Sequence, residues 1–229
     1  MTRRLLMTLG VIAPGLLTAQ TADSTGYTRK PEVRFGGMAM RLHRAVTGVS
    51  GPVARADVDL KGAEFVAKDA GGAGVQLRYA VADIAGSASS MAAGKLEYVD
   101  GRLIIGSKSF AVTTGYRLRT FRYPAVDKRV GLAQAGAQAG YRFAGSGLEL
   151  VASGTYYRTV KKDAKDSLEV SGLEGETAIM YTAPRVPLYV SLGYRRELFD
   201  LKRGETFPRR EELGGLIFAV GVQAGLNTR

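Results

Sequence analysis

The chain has 229 residues, and its composition favours strands and turns over helices, with 30 glycines, 11 tyrosines and no tryptophan. The absence of cysteine excludes disulfides, thiolate metal sites and a lipid-modified cysteine. A formal net charge of +11 favours anionic partners. No recognised nucleic-acid-binding motif accompanies that charge, so we expect no nucleic acid partner.

The N-terminal residues have the pattern of a secretory signal peptide. Arg3 and Arg4 precede a short apolar run, which is well below the roughly 20 residues that a membrane-spanning helix needs. We therefore predict a cleaved signal peptide over residues 1–22. Residues 23–31 are polar and are expected to be flexible. The remaining residues, 32–229, are predicted to form one domain.

From residue 32 onward, apolar and polar residues alternate in ten segments, as they do in half-buried β-strands. Most segments exceed the ordinary strand of about 5–6 residues and match the about 9–11 residues of a tilted membrane-spanning strand. The predicted strands are residues 32–44, 54–66, 73–85, 94–105, 110–121, 129–143, 148–160, 168–182, 187–199 and 212–226.

The connections between the predicted strands alternate between short and long. The long ones lie near residues 46–53, 86–93, 122–128, 161–167 and 200–211. Short turns at one rim and long loops at the other are typical of up-and-down barrels that cross the bacterial outer membrane. We therefore predict an all-β, antiparallel, up-and-down transmembrane β-barrel of ten strands, with both termini on the periplasmic side. Because Asp100-Gly101 is a strong hairpin pattern within the fourth strand, eight strands are the second choice.

One face of each predicted strand is polar, and we assign it to the barrel lumen. In the third strand, Gln76 and Arg78 are assigned to the lumen, and Leu77 is assigned to lipid. In the second strand, Asp57 and Asp59 are assigned to the lumen, so Glu64 would face lipid unless a β-bulge intervenes. The predicted polar lumen cluster contains Arg41, His43, Asp57, Asp59, Lys61, Arg78, Glu97, Arg117, Arg119, Arg142, Glu149, Glu176, Arg195 and Glu197.

This cluster has two interpretations. Opposed guanidinium and carboxylate groups can fill a ten-strand barrel as an ion-paired plug, because buried charges are normally paired. We favour that plug. The alternative is a narrow path for ions or small solutes that is lined by arginine.

His43 is the only histidine, and it could act as a general base beside Asp57 or Asp59. We favour a histidine in the interior or at the rim. Asp57 and Asp59 lack the glycine and the distal glutamate of a calcium loop. We therefore predict no catalytic residue, no metal site and no cofactor.

The long connections carry basic residues interleaved with acidic ones, a pattern typical of a solvated rim of mixed charge. The functional alternative is contact with lipid phosphate groups at the outer leaflet. The candidate residues for that contact are Arg122, Lys128, Arg129, Lys161, Lys162, Lys165, Lys202, Arg203, Arg209 and Arg210.

In its strands, turns and tyrosines near strand ends, the chain over residues 30–229 resembles the small outer-membrane β-barrel proteins of Gram-negative bacteria. The resemblance is architectural and rests on no diagnostic motif. It implies a monomer in the cell envelope, with outer-membrane lipid or lipopolysaccharide and the barrel insertion machinery as partners. Such barrels usually end in an aromatic residue, whereas this chain ends at Arg229 and its last aromatic residue is Phe218.

Three functions remain open on the sequence. The first is a non-enzymatic barrel with a structural or adhesion-like role, or one that contacts a ligand through its extracellular loops. The second is a porin-like narrow pore. The third is a soluble periplasmic barrel that binds lipid, in which the apolar face of each strand would line the cavity.

Overall fold

The computed structural model describes residues 31–48, 51–84, 94–123, 126–160, 168–202 and 208–225. Within these ranges the chain forms ten β-strands. No helix in the described part is long and apolar enough to cross a membrane. The strands are β1 (Glu32–Gly48), β2 (Gly51–Lys68), β3 (Gly74–Ile84), β4 (Gly94–Gly106), β5 (Phe110–Tyr123), β6 (Val126–Arg142), β7 (Leu148–Thr159), β8 (Glu169–Thr182), β9 (Leu188–Lys202) and β10 (Pro208–Ala224).

Every strand pairs antiparallel with its neighbour in the chain, and β1 pairs with β10, so the sheet closes into a barrel. A path through the paired residues starts at Val33, passes once round the barrel and returns to β1 at Ala45, twelve residues further along. A stagger of this size over ten strands tilts them by about 40° from the barrel axis.

The two ends of the barrel differ. The turn end carries both strand termini and the links of residues 69–73, 107–109, 143–147 and 183–187; the opposite end is called the loop end. In the first of these turns, Asp69 Oδ1 accepts hydrogen bonds from the N–H groups of Gly72 and Ala73 at 2.7 and 2.9 Å. Gly72 has a φ of 107°, a conformation that favours glycine.

The predicted barrel and its ten strands are confirmed. β4 continues through Asp100-Gly101, so no hairpin divides it. Two of the predicted long links are wrong. Pairing between β1 and β2 continues to Gly48 and Gly51, and β5 pairs with β6 as far as Tyr123 and Val126. These hairpins are longer than predicted because their strands stay hydrogen-bonded to the tip. Residues 1–30, which hold the predicted signal peptide, lie outside the described residues.

The outer face of the barrel is apolar between the turn end and a boundary partway along each strand. Large side chains such as Leu77, Val112, Leu192 and Phe218 point outward and are about half exposed. Beyond the boundary, towards the loop end, the outward residues are mainly charged, as at Arg129. The apolar surface is therefore a band that surrounds the barrel.

The predicted facing of β1 and β2 is wrong in their loop-end halves. Leu42 and Leu60 are buried inside the barrel, whereas Arg41 and Asp59 point outward with 75% and 71% of their side chains exposed. Glu64 shares the inward face with Leu60, and the register shift between these strands lies at Val46/Thr47, so no bulge is needed near Glu64. The physical reason is that this part of the two strands lies beyond the apolar band. There the ordinary rule of a packed interior and a polar exterior applies.

Candidate functional site

The middle of the barrel interior is filled by a central ion-pair network of buried arginine and carboxylate side chains from six strands. Each is at most 5% exposed. The network consists of Arg44, Asp100, Arg102, Arg117, Arg119, Glu174, Arg195, Glu197 and Glu211.

Arg117 lies at the centre of this network. Its guanidinium donates to Asp100 Oδ2 at 2.6 Å, to Glu174 Oε2 at 2.7 Å and to Glu197 Oε1 at 3.0 Å. The same guanidinium lies over the rings of Tyr98 and Tyr157, with its carbon 4.8 and 4.4 Å from their centroids. Three carboxylates and two aromatic faces thus replace the water that this cation would have outside the barrel.

Glu174 is the matching anionic centre. It accepts hydrogen bonds from Arg102 at 2.9 Å, Arg195 at 2.5 Å and the Tyr157 hydroxyl at 2.7 Å, in addition to that from Arg117. Because these donors come from β4, β5, β7 and β9, one carboxylate on β8 links much of the barrel wall.

The network extends towards the loop end through alternating charges. Arg119 Nη1 donates to Glu197 Oε2 at 2.6 Å, and its Nη2 lies 3.5 Å from Glu211 Oε2. Glu211 in turn accepts from Arg44 Nε at 2.5 Å. The chain of contacts therefore runs from the centre of the lumen to the seam between β1 and β10.

An apolar cluster packs above the network on the loop-end side. Phe121 and Phe199 contact each other edge to face at 5.7 Å, and the Arg119 guanidinium lies 4.9 and 4.2 Å from their rings. The cluster also contains Val46, Val130, Leu132, Tyr157, Leu168, Val170 and Leu201. A second cluster, which includes Leu42, Leu60 and Leu96, covers the inner wall of β1 to β4. Buried apolar side chains thus occupy the described interior on the loop-end side of the network.

A second ion-paired group lies on the turn-end side of the network. Arg78 donates to Glu64 Oε2 at 2.5 Å, and its two terminal nitrogens donate to the two oxygens of Glu176 at 2.7 and 3.0 Å. Gln76 also donates to Glu64, at 3.0 Å. Next to this group is a cavity of about 90 Å³, which reaches towards the turn end.

The structure brings together part of the predicted lumen cluster. Arg78, Arg117, Arg119, Glu176, Arg195 and Glu197 lie inside the barrel. Arg142 and Glu149 are paired at 2.6 Å at the turn-end rim.

The remaining members of the predicted lumen cluster lie on the outer face, which corrects that assignment. These residues are Arg41, His43, Asp57, Asp59, Lys61 and Glu97. They lie beyond the apolar band, where a charged side chain meets water or lipid headgroups instead of hydrocarbon. His43 and Asp57 do pair, with Nδ1 3.0 Å from Oδ1, but their side chains are 61% and 59% exposed.

Sequence reasoning missed several members of the interior. Asp100 is part of the Asp100-Gly101 hairpin pattern, which gives no reason to place it in the lumen. Arg44 lies on the face of β1 opposite to the predicted lumen residues Arg41 and His43. Glu174 has the same parity as Glu176, so the period of two could have identified it. Arg102 lies on the opposite face of β4 from Glu97, so the predicted facing of that strand excluded it. Tyr98, Tyr157 and Tyr189, which lie near strand ends in the sequence, are buried inside the barrel and belong to no outer girdle.

The predicted basic loop residues fall into three groups. Lys161, Lys162, Lys165 and Arg203, and the side chains of Arg122 and Arg209, lie outside the described part. Lys202 is exposed at the end of β9, and Lys128 is half-buried. Arg129 lies 3.9 Å from Glu97, and Arg210 donates to Asp200 at 2.9 Å.

Comparison with known proteins yields no family. No protein-family model matches the chain, and no curated protein matches it. Among solved structures, it is similar to the β domain of the Bordetella autotransporter BrkA, with 18% identity, a TM-score of 0.39 and coverage of 84% of this chain and 100% of that chain. It is also similar to Neisserial surface protein A (NspA), with 15% identity, a TM-score of 0.36 and coverage of 80% and 95%. Both are bacterial outer-membrane β-barrels. Because both similarities are distant, we base the membrane location on the outer face of this barrel.

Proposed function

We propose that this chain is an outer-membrane β-barrel with a sealed interior and a structural or surface-contact role. Its loop end would face outward and its turn end, with both strand termini, would face the periplasm. The observation that carries this proposal is the combination of an apolar outer band with an interior of buried, paired charges.

The outer band supports a membrane location. Leu192, Val112 and Phe218 are 58%, 52% and 47% exposed, and similar side chains point outward from neighbouring strands. A continuous apolar surface of this extent is unfavourable in water but is satisfied by hydrocarbon. Closure of the sheet also pairs the backbone groups that an open edge would leave unpaired in lipid.

The loop end supports a surface-contact role. Beyond the band, Arg196 pairs with Glu212 at 2.5 Å and Arg210 pairs with Asp200 at 2.9 Å, both exposed. Lys202 stands exposed on the same wall. A rim of mixed charge directly above an apolar band is suited to lipid phosphate groups or to an external charged ligand.

The two alternative functions fit the geometry less well. A pore lined by arginine needs hydrated guanidinium groups, but Arg117 and Arg195 are 0% and 1% exposed. A soluble lipid carrier needs an apolar cavity and a polar exterior, whereas here the buried charges are inside and the apolar band is outside. The proposal includes no catalytic step, because the pair of His43 and Asp57 lies on the outer wall away from the enclosed interior.

The first experiment is to locate the mature protein by a semi-native gel of washed membranes, with and without boiling. A membrane-bound band whose mobility changes on heating supports a closed barrel in the outer membrane. A protein recovered in the soluble periplasmic fraction, or a band without heat-dependent mobility, contradicts the proposal.

A further inference from the structure

The cavity at the turn end of the interior, here called the turn-end vestibule, is lined by more basic than acidic side chains. It encloses about 90 Å³ between the Arg78 group and the turn-end rim. Six basic side chains line it, against three acidic ones. The basic residues are Arg34, Lys68, Arg78, Arg102, Lys108 and Arg195, and the acidic residues are Glu64, Glu149 and Glu176.

The three carboxylates of the vestibule are already engaged. Arg78 binds both Glu64 and Glu176, and Arg142, which is outside the lining, lies 2.6 Å from Glu149. They are therefore poorly placed to attract a further cation. Four of the six basic residues are engaged as well. Arg34 lies 3.0 Å from Glu32, Arg78 binds Glu64 and Glu176, and Arg102 and Arg195 belong to the central ion-pair network.

Two of the basic residues make no ion pair with any described residue. Lys68 ends β2 and Lys108 lies in the turn between β4 and β5, so both stand at the mouth of the vestibule, and both are half-buried. Glu32, Glu64 and Glu149 act on Lys68 from a distance, but none of them is close enough to form an ion pair with it. A partly buried ammonium group without a direct ion-pair partner favours an anion in the adjoining space.

Two buried donor atoms of residues that line the vestibule have neither a hydrogen-bond acceptor nor an ion-pair partner among the described residues. They are the hydroxyl of Tyr189, a residue that is 2% exposed, and Nε of Arg195, which is 1% exposed. Buried polar groups normally have a partner, so an orphaned donor beside a polar cavity indicates a ligand or water. Ser153, Ser191 and Gln138 add further polar groups to the same lining.

We propose that the turn-end vestibule binds a small oxyanion, namely a phosphate or a carboxylate group. Lys68 and Lys108 attract the anion at the mouth, and the Tyr189 hydroxyl, near the start of β9, supplies a hydrogen bond there. Nε of Arg195, six residues further along the same strand, is a donor for water or a second group deeper in the vestibule. Because about 10–15 Å³ of such cavity space already holds one water molecule, the vestibule has room for one such group. This site lies within the barrel and does not depend on the proposed membrane location.

The test uses the purified full-length mature protein in detergent, with inorganic phosphate and acetate as probes. Calorimetric titration and the thermal unfolding midpoint are compared with chloride at the same ionic strength, since a ligand that binds the folded state raises that midpoint. We expect either or both probes to bind and stabilise the barrel. A response to phosphate alone identifies a phosphate site, and a response to acetate alone identifies a carboxylate site.

Two variants remove single contributions to the site. Tyr189→Phe deletes only the hydroxyl, and Lys68→Gln deletes one charge at the mouth. We expect each to weaken anion binding by about tenfold, because each removes one charge-assisted interaction. The unfolding midpoint of Tyr189→Phe in chloride should stay at the wild-type value or rise, because the hydroxyl makes no hydrogen bond within the protein.

Matched controls are Tyr181→Phe, on the outer wall, and Lys202→Gln, at the loop end, and both should bind the probe as the wild type does. A heat-dependent shift in gel mobility verifies that every variant forms the barrel. The proposal is overturned if phosphate and acetate have no more effect than chloride on the wild type. It is also overturned if Tyr189→Phe and Lys68→Gln, correctly folded, bind the probe as tightly as their controls.

Discussion

Arg117 on β5 and Glu174 on β8 meet inside the barrel with Nη2 2.7 Å from Oε2, and both side chains are 0% exposed. Their strands are not neighbours in the sheet, so this contact crosses the lumen. Backbone pairing connects only adjacent strands. The two side chains therefore add a direct link between distant parts of the wall, and neither charge can be removed without leaving the other short of a partner.

The first prediction concerns this link. Replacing Glu174 by Ala should lower the free energy of unfolding by about 3–5 kcal/mol, because Arg102, Arg117 and Arg195 would keep their buried charges without their shared acceptor. Urea unfolding of the refolded barrel measures the effect. Glu212→Ala, which breaks the exposed pair with Arg196, is the control and should cost about 1 kcal/mol or less. Equal effects of the two substitutions would contradict the assigned importance of the network.

A second prediction tests the apolar band on β9. Leu192→Arg should destabilise the barrel in a bilayer by about 2–4 kcal/mol, because it places a cation near the middle of the hydrocarbon. Leu198 faces the same way three outward positions nearer the loop end, beyond Arg196, so Leu198→Arg should cost no more than about 1 kcal/mol. Unfolding titrations in lipid vesicles compare the two. A tolerated Leu192→Arg would show that this wall does not face hydrocarbon.

The corrected facing of β2 leads to a third prediction. Leu60 is 1% exposed and packs in the interior, so Leu60→Ala should cost about 2–5 kcal/mol through the cavity that it creates. Lys61 is exposed on the opposite face, and Lys61→Ala should stay within about 0.5 kcal/mol of the wild type. The same unfolding measurement applies to both variants. If the costs were reversed, the facing predicted from the sequence would be right after all.

From the packed interior we predict that the barrel conducts no ions. The purified protein in a planar bilayer should show no single-channel steps, because the buried and paired guanidinium groups of Arg117 and Arg119 separate the turn-end vestibule from the loop end. Steps that disappear in the variants Arg117→Ala and Arg195→Ala would instead support a narrow pore.

The sequence predicts the barrel and its ten strands because both depend on local patterns. A period of two reports which residues of a strand share a face, as for Gln76 and Arg78 in β3. The alternation of short and long links can also be read directly from the linear sequence. Even the continuous fourth strand followed from its length, since splitting it at Asp100-Gly101 would leave two stubs too short to cross a membrane.

Part of the strand facing could not be derived in the same way. Alternation separates Leu60 from Asp59 without telling which of them points inward. That choice depends on whether the outside at that height is hydrocarbon or water. The height is set by the tilt of the strands and by how far β1 and β2 extend beyond the apolar band. The local alternation of apolar and polar residues indicates neither of these.

Which interior charges pair with each other also depends on the tertiary structure and cannot be predicted from the sequence pattern. The amino-acid sequence alone shows that charged residues alternate with apolar ones along most strands, so that a barrel surrounded by hydrocarbon would hold charged side chains inside. Only the stagger that carries Val33 round to Ala45 decided that Arg117 would meet Glu174 and that Arg78 would meet Glu176. The physical reason is that side chains meet across a lumen at equal heights, and height is a property of the closed and tilted sheet.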